Sequence, residues 1–320
     1  MKIVVTGGAG FIGSNFINNL YFSPNKYHEA FSEIIVIDSL TYSGKFENIS
    51  MFKDWSNFTF VKSDIRDKDK IEKYFDDTNI VVNFAAETHV DNSIKNPNIF
   101  IETNVLGTQT LLELSRLKRI NKFLQVSTDE VYGSIKNGFF DEKKKLEPSS
   151  PYSASKASAD LICESYFRTF GLNINISRCT NNYGARQNIE KVIPLFITNL
   201  LQGKKIPIYG SGENIREWLH VNDHSEALMK IINSGQPGEI YNIGSNYEIS
   251  NLQLAQKILN EMNMPKSYIQ HVDDRLGHDF RYALDSSKIQ NNLNFKPIHN
   301  LDEELINLIN WYDQNRSWWN

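Results

Sequence analysis

Residues Thr6–Gly13 read TGGAGFIG, set between a β-branched run at Ile3–Thr6 and a helical pattern that continues through Leu20. No other stretch restricts the fold as strongly. In the spacing Gly8-x-Gly10-x-x-Gly13, one glycine makes the tight turn, another lets the backbone approach a pyrophosphate, and a third lets helix and strand pack closely. The helix start offers free N–H groups and the positive end of its dipole to phosphate. Alone, the motif is weak. Asp38 gives it context: it follows the second β-branched run, where a carboxylate accepts hydrogen bonds from an adenosine ribose and repels a 2′-phosphate. NAD is therefore the expected cofactor, ahead of NADP. The turn would hold it through Gly7, Gly10, Phe11, Ile12 and Gly13, and the segment after the second run through Asp38, Ser39, Leu40 and Thr41.

Further apolar runs occur at Ile34–Ile37, Phe58–Lys62, Ile80–Phe84, Lys122–Ser127 and Asn173–Ser177, alternating with helical patterns, the clearest at Ile99–Leu117 and Ser153–Phe170. Runs that are apolar throughout suit strands covered on both faces, so the expected fold is α/β, a doubly wound parallel Rossmann sheet. Asp64 and Ile65 end the third run, and Phe84, Ala85 and Ala86 the fourth. Ligands of open α/β sheets bind at such carboxyl ends, so these residues are expected walls for adenine and the inner ribose. Past about residue 180 the rhythm shifts to loops rich in Asn, Gly and Pro, with helices near Val192–Gln202, Leu252–Met262 and Leu301–Asn315. Residues 1–180 read as the cofactor domain and 181–320 as a smaller, mixed α/β substrate domain. The sheet would be completed from residues 217–245, where a strand at Ile240–Ile243 follows a helix at Ser225–Asn233 with Asp223 as its N-cap.

Composition removes other classes. The 320-residue chain carries 34 basic and 38 acidic residues, a net charge of -4, which gives no electrostatic footprint for nucleic acid or an anionic membrane. No apolar run reaches the roughly 18 residues of a membrane span. Cys163 and Cys179 cannot form a disulfide framework and lack metal-ligand spacing, so a cytoplasmic location is expected. His220 and His224, four apart, have no third ligand at suitable spacing, and no metal is expected. The aromatic C-terminus, Trp311, Tyr312, Trp318 and Trp319, reads as core packing or interface.

Tyr152 and Lys156 stand four positions apart at the start of a helical pattern, which puts a phenol and an ammonium on one face, about 6 Å apart along the axis. A free tyrosine is a poor base at neutral pH. A nearby lysine and a cationic nicotinamide favour the phenolate and are expected to lower its pKa by roughly 3 units, about 4 kcal/mol. With Ser127 at the end of a strand and the Gly-rich turn, this arrangement resembles the extended short-chain dehydrogenase/reductase superfamily. The resemblance implies a nicotinamide-dependent fold acting mainly on nucleotide sugars.

Ser127–Gly133 reads STDEVYG. Simple epimerases of this superfamily are expected to carry small or neutral residues where Asp129 and Glu130 stand. Paired carboxyls suit elimination of water, one acid protonating a leaving hydroxyl and the other removing a proton from carbon. Neighbouring side chains of a regular strand face opposite ways, so the strand must end at about Thr128 for both to reach one ring. With AAETHVDNSI from Ala85, FIETNVLGT from Phe100, RCTNNYGARQ from Arg178, PIYGSGENIREWLHVNDH from Pro207 and DRLGHDFRYALD from Asp274, the chain is similar over nearly its whole length to the dTDP-glucose 4,6-dehydratase family.

That resemblance implies a lyase with tightly bound NAD, forming a homodimer through its two long helices, Ile99–Leu117 and Ser153–Phe170. Tyr152 would be the base at the C4 hydroxyl, tuned by Lys156, with Thr128 near C4, Glu130 the base at C5 and Asp129 the acid at the C6 hydroxyl. Thr88 would lie near the sugar, Asn181 near the diphosphate, and Lys191, Val192, Pro207, Ile208 and Tyr209 around the base. Arg216, Asn251, Arg275 and His278 would reach toward phosphate and nucleoside, and Thr88, Thr103 and Asn182 would also face the cofactor. Two departures from the family pattern are Ala185 and Leu276, where prolines are expected. Alternatives are the same reaction on UDP-glucose or another sugar nucleotide, a 4-epimerase, and a regulator that binds NAD without turnover.

Overall fold

The computed structural model describes residues 1–274 and 277–320; Arg275 and Leu276 lie outside the described residues. Seven strands form one parallel sheet. They are β1 (Lys2–Thr6), β2 (Glu33–Asp38), β3 (Phe58–Lys62), β4 (Ile80–Asn83), β5 (Lys122–Thr128), β6 (Ile174–Cys179) and, from much later in the chain, β10 (Ile240–Ile243). Their order is β10-β6-β5-β4-β1-β2-β3. The chain runs outward from β1 to β3 and then restarts on the other side at β4. Between β1 and β4 the order reverses, and such a switch point leaves a crevice at the carboxyl ends of the strands.

The central strands β1, β2 and β4 are covered on both faces, which is why they read as runs of Val and Ile. Ile3, Val5, Ile34 and Val36 pack on one side with Phe16 and Ile17 of the Phe11–Phe22 helix and Leu228 and Ile231 of the Val221–Ser234 helix. Val4, Ile35, Ile37 and Val81 pack on the other with Leu111, Leu112 and Cys163. A third core, around Phe196, Ile206, Trp218, Leu254 and Tyr312, lies between the helices and short strands that follow residue 181. There β7 (Asn181–Tyr183), β9 (Ile215–His220) and β11 (Glu248–Ser250) form a small mixed sheet, and β8 (Ile206–Tyr209) pairs with β12 (Ile269–Val272).

Two elements differ from expectation. The helix expected from Ser225 with Asp223 as cap begins at Val221, and its N-cap is His220, whose Nδ1 accepts the Asn222 N–H at 3.3 Å. Asp223, inside the first turn, instead accepts the N–H groups of Ile298 and His299 at 3.1 and 3.0 Å and binds His299 Nδ1 at 2.7 Å, tethering the chain ahead of the last long helix. The stretch expected as one regular helix over Ile99–Leu117 is α-helical at Pro97–Phe100 and Thr108–Leu117, with a π-helical turn at Ile101–Gly107 between.

Candidate active site

A cavity of about 330 Å³ opens over the switch point. Its floor is the Gly-rich turn. Gly7 holds φ +68°, a left-handed conformation that favours glycine, and a Cβ there would meet Ala85 N at 2.5 Å. A Cβ on Gly13 would meet Gly7 O at 2.4 Å, so turn and helix close together only through glycine. No side chain caps the Phe11–Phe22 helix, and its first turn carries no acid. Its N–H groups and dipole are thus left for an anion, with Gly10, Phe11 and Ile12 on the cavity wall. Asp38 is buried beside them, accepting the N–H of Ala9 at 2.9 Å on one oxygen and of Leu40 at 2.8 Å on the other. Burial pushes its pKa up, and the two backbone bonds oppose that rise.

Ser39, Thr41, Asp64, Ile65, Phe84, Ala85, Ala86, Thr88, Thr103 and Asn182 line the same cavity. Leu40 does not: at φ 53° its N–H turns back to Asp38, and its side chain joins the apolar core. The π-helical turn explains how Thr103 reaches the wall. Asn104 beside it points inward, accepting the Glu87 N–H at 2.8 Å and donating to Glu87 O at 3.0 Å and Ser155 Oγ at 2.8 Å. One side chain thereby fixes the wall after β4 to the helix that carries Tyr152.

That helix, Pro151–Phe170, starts at a capping box between Ser150 and Ser153 with proline in its first turn, and stops at Gly171, φ 68°. Tyr152 and Lys156 project from its first turns into the cavity, both buried. Lys156 Nζ donates to Val126 O at 2.7 Å, and burial lowers its pKa. The Tyr152 phenol lies well above its ordinary range because of burial, with Glu130, Cys179 and Asp129 adding to the rise and the Thr128 hydroxyl opposing it. The chain's own groups therefore favour the neutral phenol, and the depression expected from the sequence requires the cationic nicotinamide beside Lys156.

β5 ends at Thr128 and passes into a single 3₁₀ turn, Asp129–Tyr132, so the two adjacent carboxyls escape strand alternation and both line the cavity. Thr128 Oγ1 donates to Asp129 Oδ1 at 3.1 Å and accepts the Glu130 N–H at 3.3 Å. Asp129 is buried, and its Oδ2 and the Ser127 hydroxyl make no hydrogen bond among the described residues. Burial, reinforced by the Glu130 charge, raises the Asp129 pKa well above the usual carboxyl range and so favours its protonated form. The buried Arg178 of β6 pins both the Tyr152 helix and the Asp129–Tyr132 turn. Its Nε donates to Asp160 of the Tyr152 helix at 2.9 Å, and its NH1 to the Tyr132 hydroxyl of the acid turn at 2.9 Å. Tyr132 in turn donates to Asn242 of β10.

A second cavity, about 300 Å³, adjoins the first and shares Thr88, Glu130, Asn181, Lys191, Val192 and Trp218 with it. Glu130 stands at the junction. Pro207, Ile208, Tyr209, Arg216, Asn251 and His278 line the second cavity. Arg216 lies over the Tyr282 ring at 4.4 Å and donates to the carbonyls of Ile215 and Asp279 at 2.7 and 3.0 Å. Lys191 Nζ donates to Thr88 O at 3.1 Å, and His278 Nδ1 meets Asp274 Oδ1 at 2.7 Å. Arg275 lies outside the described residues. Arg66, Glu87, Glu190 and Tyr282 line these cavities without having been singled out from the sequence, because no spacing rule marks them. Among the described residues no group of three or more His, Cys, Asp or Glu side chains could hold a metal ion.

The chain matches the family model GDP-mannose 4,6 dehydratase over residues 4–307. It is 44% identical over 319 residues to a dTDP-glucose 4,6-dehydratase of Streptomyces niveus, covering 100% of this chain and 95% of that protein. Among solved structures, the dTDP-glucose 4,6-dehydratase of Streptomyces venezuelae with NAD and dTDP bound superposes with a TM-score of 0.97 at 45% identity, covering 100% of this chain and 99% of that one. A UDP-glucose 4-epimerase of Thermotoga maritima, solved with UDP-glucose, superposes with a TM-score of 0.90 at 29% identity, covering 99% and 100%.

Proposed function

Because the chain belongs to the GDP-mannose 4,6-dehydratase family, within the extended short-chain dehydrogenase/reductase superfamily, we infer that it is an NAD-dependent hydro-lyase. It converts dTDP-glucose to dTDP-4-keto-6-deoxyglucose. An epimerase shares the fold, so the fold alone does not choose the reaction. The observation that chooses is the pair Asp129 and Glu130, both on the cavity wall beside Tyr152.

The residues fit NAD: an uncapped helix start behind a glycine cradle for the diphosphate, Asp38 for the ribose, and Tyr152 and Lys156 where a nicotinamide would lie. When bound, NAD supplies a positive ring, the acceptor of a hydride and later its donor. Tyr152 takes the proton of the C4 hydroxyl, with Lys156 behind it and Thr128 holding the C4 oxygen. A C4 ketone acidifies the C5 proton, which Glu130 removes. Asp129, whose burial favours the protonated form, gives a proton to the C6 hydroxyl, which departs as water. C5 then regains a proton from Glu130. The proton lost at O4 and the hydroxyl lost at C6 account for the one water released.

The sugar nucleotide lies across the junction, its sugar against Thr88 and Glu130, its diphosphate toward Asn181 and Arg216, and its base among Lys191, Val192 and Pro207–Tyr209. In this reading residues 1–180, with β10, form the cofactor domain and 181–320 mainly the sugar-nucleotide domain. The helical segments over 97–117 and 151–170 form a homodimer interface, supported by the exposed Leu106, Leu117 and Leu161. The cytoplasm is the compartment, where Cys163 and Cys179 stay reduced. Purified protein mixed with dTDP-glucose and no added NADH is expected to build up the alkaline absorbance of a 4-keto sugar; absence of that signal would reject the function.

A further inference from the structure

Trp318, the third residue from the end of the chain, touches neither cavity, yet it reaches the ribose side of the site through a short chain of contacts. Its indole N–H donates to Asn48 Oδ1 at 2.8 Å. Asn48 is buried, and its Nδ2 donates to Ala9 O at 2.9 Å. Ala9, inside the Gly-rich turn, donates its own N–H to Asp38 Oδ2 at 2.9 Å. A second set of contacts runs alongside. Lys45 Nζ donates to the Trp318 carbonyl and lies over the Trp318 ring at 4.1 Å, while the Lys45 N–H donates to Ala9 O at 3.1 Å. The tail is itself anchored. Trp318 packs edge-on against Trp311, Trp319 Nε1 donates to Tyr312 O at 2.7 Å, and the Tyr312 hydroxyl donates to Gln187 O on the opposite wall of the cofactor cavity at 2.6 Å.

We propose that Trp318 is a positioning residue for NAD: together with Asn48 and Lys45 it clamps the segment after β2 onto Ala9 and so fixes the carboxylate of Asp38. Two donors from one segment converge on a single carbonyl, and one indole secures both of their side chains. A surface tryptophan placed there for packing alone would need neither its N–H nor its carbonyl engaged. Segment 39–48 includes Thr41, Ser43 and Gly44 at the cavity wall, so its release would loosen the outer side of the site. The inference rests on NAD binding at the Gly-rich turn, as proposed above.

The test is the rate at which the holoenzyme releases NAD, with each released molecule trapped by excess alcohol dehydrogenase and ethanol and read as NADH absorbance. Trp318→Phe keeps an aromatic ring against Trp311 and Lys45 and removes the N–H together with one ring of the indole. It is expected to speed release about fivefold to tenfold, the worth of one hydrogen bond, while affinity for dTDP stays within about twofold. Lys45→Ala is expected to speed release in the same direction and serves if the first variant does not fold. The double variant Trp318→Phe/Asn48→Ala is expected to release NAD no faster than Asn48→Ala alone, because both changes break one chain of contacts. Unchanged release in Trp318→Phe, or a parallel loss of NAD and dTDP affinity, would overturn the inference and leave the tail a packing element. A wild-type chain that retains no NAD would instead reject the cofactor reading itself.

Discussion

Asp129 and Glu130 are neighbours with different surroundings, and that difference is the basis for the separate acid and base roles proposed for them. Asp129 is buried, which favours its protonated form, whereas Glu130 stands at the junction of the two cavities. A carboxyl whose folded pKa lies above its unfolded value adds stability that is full below about pH 4 and is lost as pH rises through the folded pKa, where a charge must be buried. Asparagine needs no such charge. Asp129→Asn is therefore expected to raise the melting temperature at pH 8 by about 2–4 °C, with a smaller gain at pH 5, while turnover falls about 10²–10⁴-fold; calorimetry at the two pH values and a turnover assay check both. Glu130→Gln is expected to cost a similar factor in turnover without that pH-dependent gain. At this scale the sequence named candidate residues that the fold brings together, with Thr128, Asp129, Glu130, Tyr152 and Lys156 all on one cavity wall. Activation of Tyr152 was expected from Lys156 together with a cationic nicotinamide; the chain's own groups, burial first, raise the phenol pKa, and the lysine ammonium donates to Val126 O. Depth of burial is a tertiary property that residue spacing does not carry.

Elements hold these residues in place, and the strands among them were nearly all legible. Phe58–Lys62 and Ile240–Ile243 fall where the apolar runs placed them, and β5 gives way to the acid turn at Thr128. The π-helical turn at Ile101–Gly107 was not legible, because it arises from Asn104 reaching inward to Glu87 and Ser155, partners remote in sequence. The same holds for His220 displacing Asp223 as helix cap, since Asp223 is drawn to Ile298 and His299. The network centred on Arg178 ties the helix of Tyr152, the acid turn and β10 together. Arg178→Met strands the Asp160 carboxylate in the core, and the expected loss is about 3–5 kcal/mol, measured by urea unfolding, with turnover reduced in whatever fraction stays folded. An unchanged unfolding midpoint would mean that this ion pair does not hold the site.

At the scale of the molecule, the chain returns to its beginning twice. β10 pairs with β6 to complete a sheet begun at residue 2, and the C-terminal aromatic segment closes on the loop after β2. The doubly wound sheet was readable because strand, glycine turn, helix and acid recur in a fixed order. Where the last residues dock was not, since an aromatic tail has no period. The exposed Leu161 lies on one of the two long helices that form the proposed dimer interface. Leu161→Arg is expected to shift the protein from dimer to monomer in sedimentation velocity, and a monomeric wild-type protein would remove that interface. The hydride taken from C4 stays in the pocket and returns to C6 as water is lost, and dTDP-glucose carrying deuterium at C4 makes that path visible. Mass spectrometry and NMR of the product should show the loss of one water with the deuterium retained and now at C6. A product of unchanged mass, or a 4-keto sugar whose C6 carries no deuterium, would contradict the account.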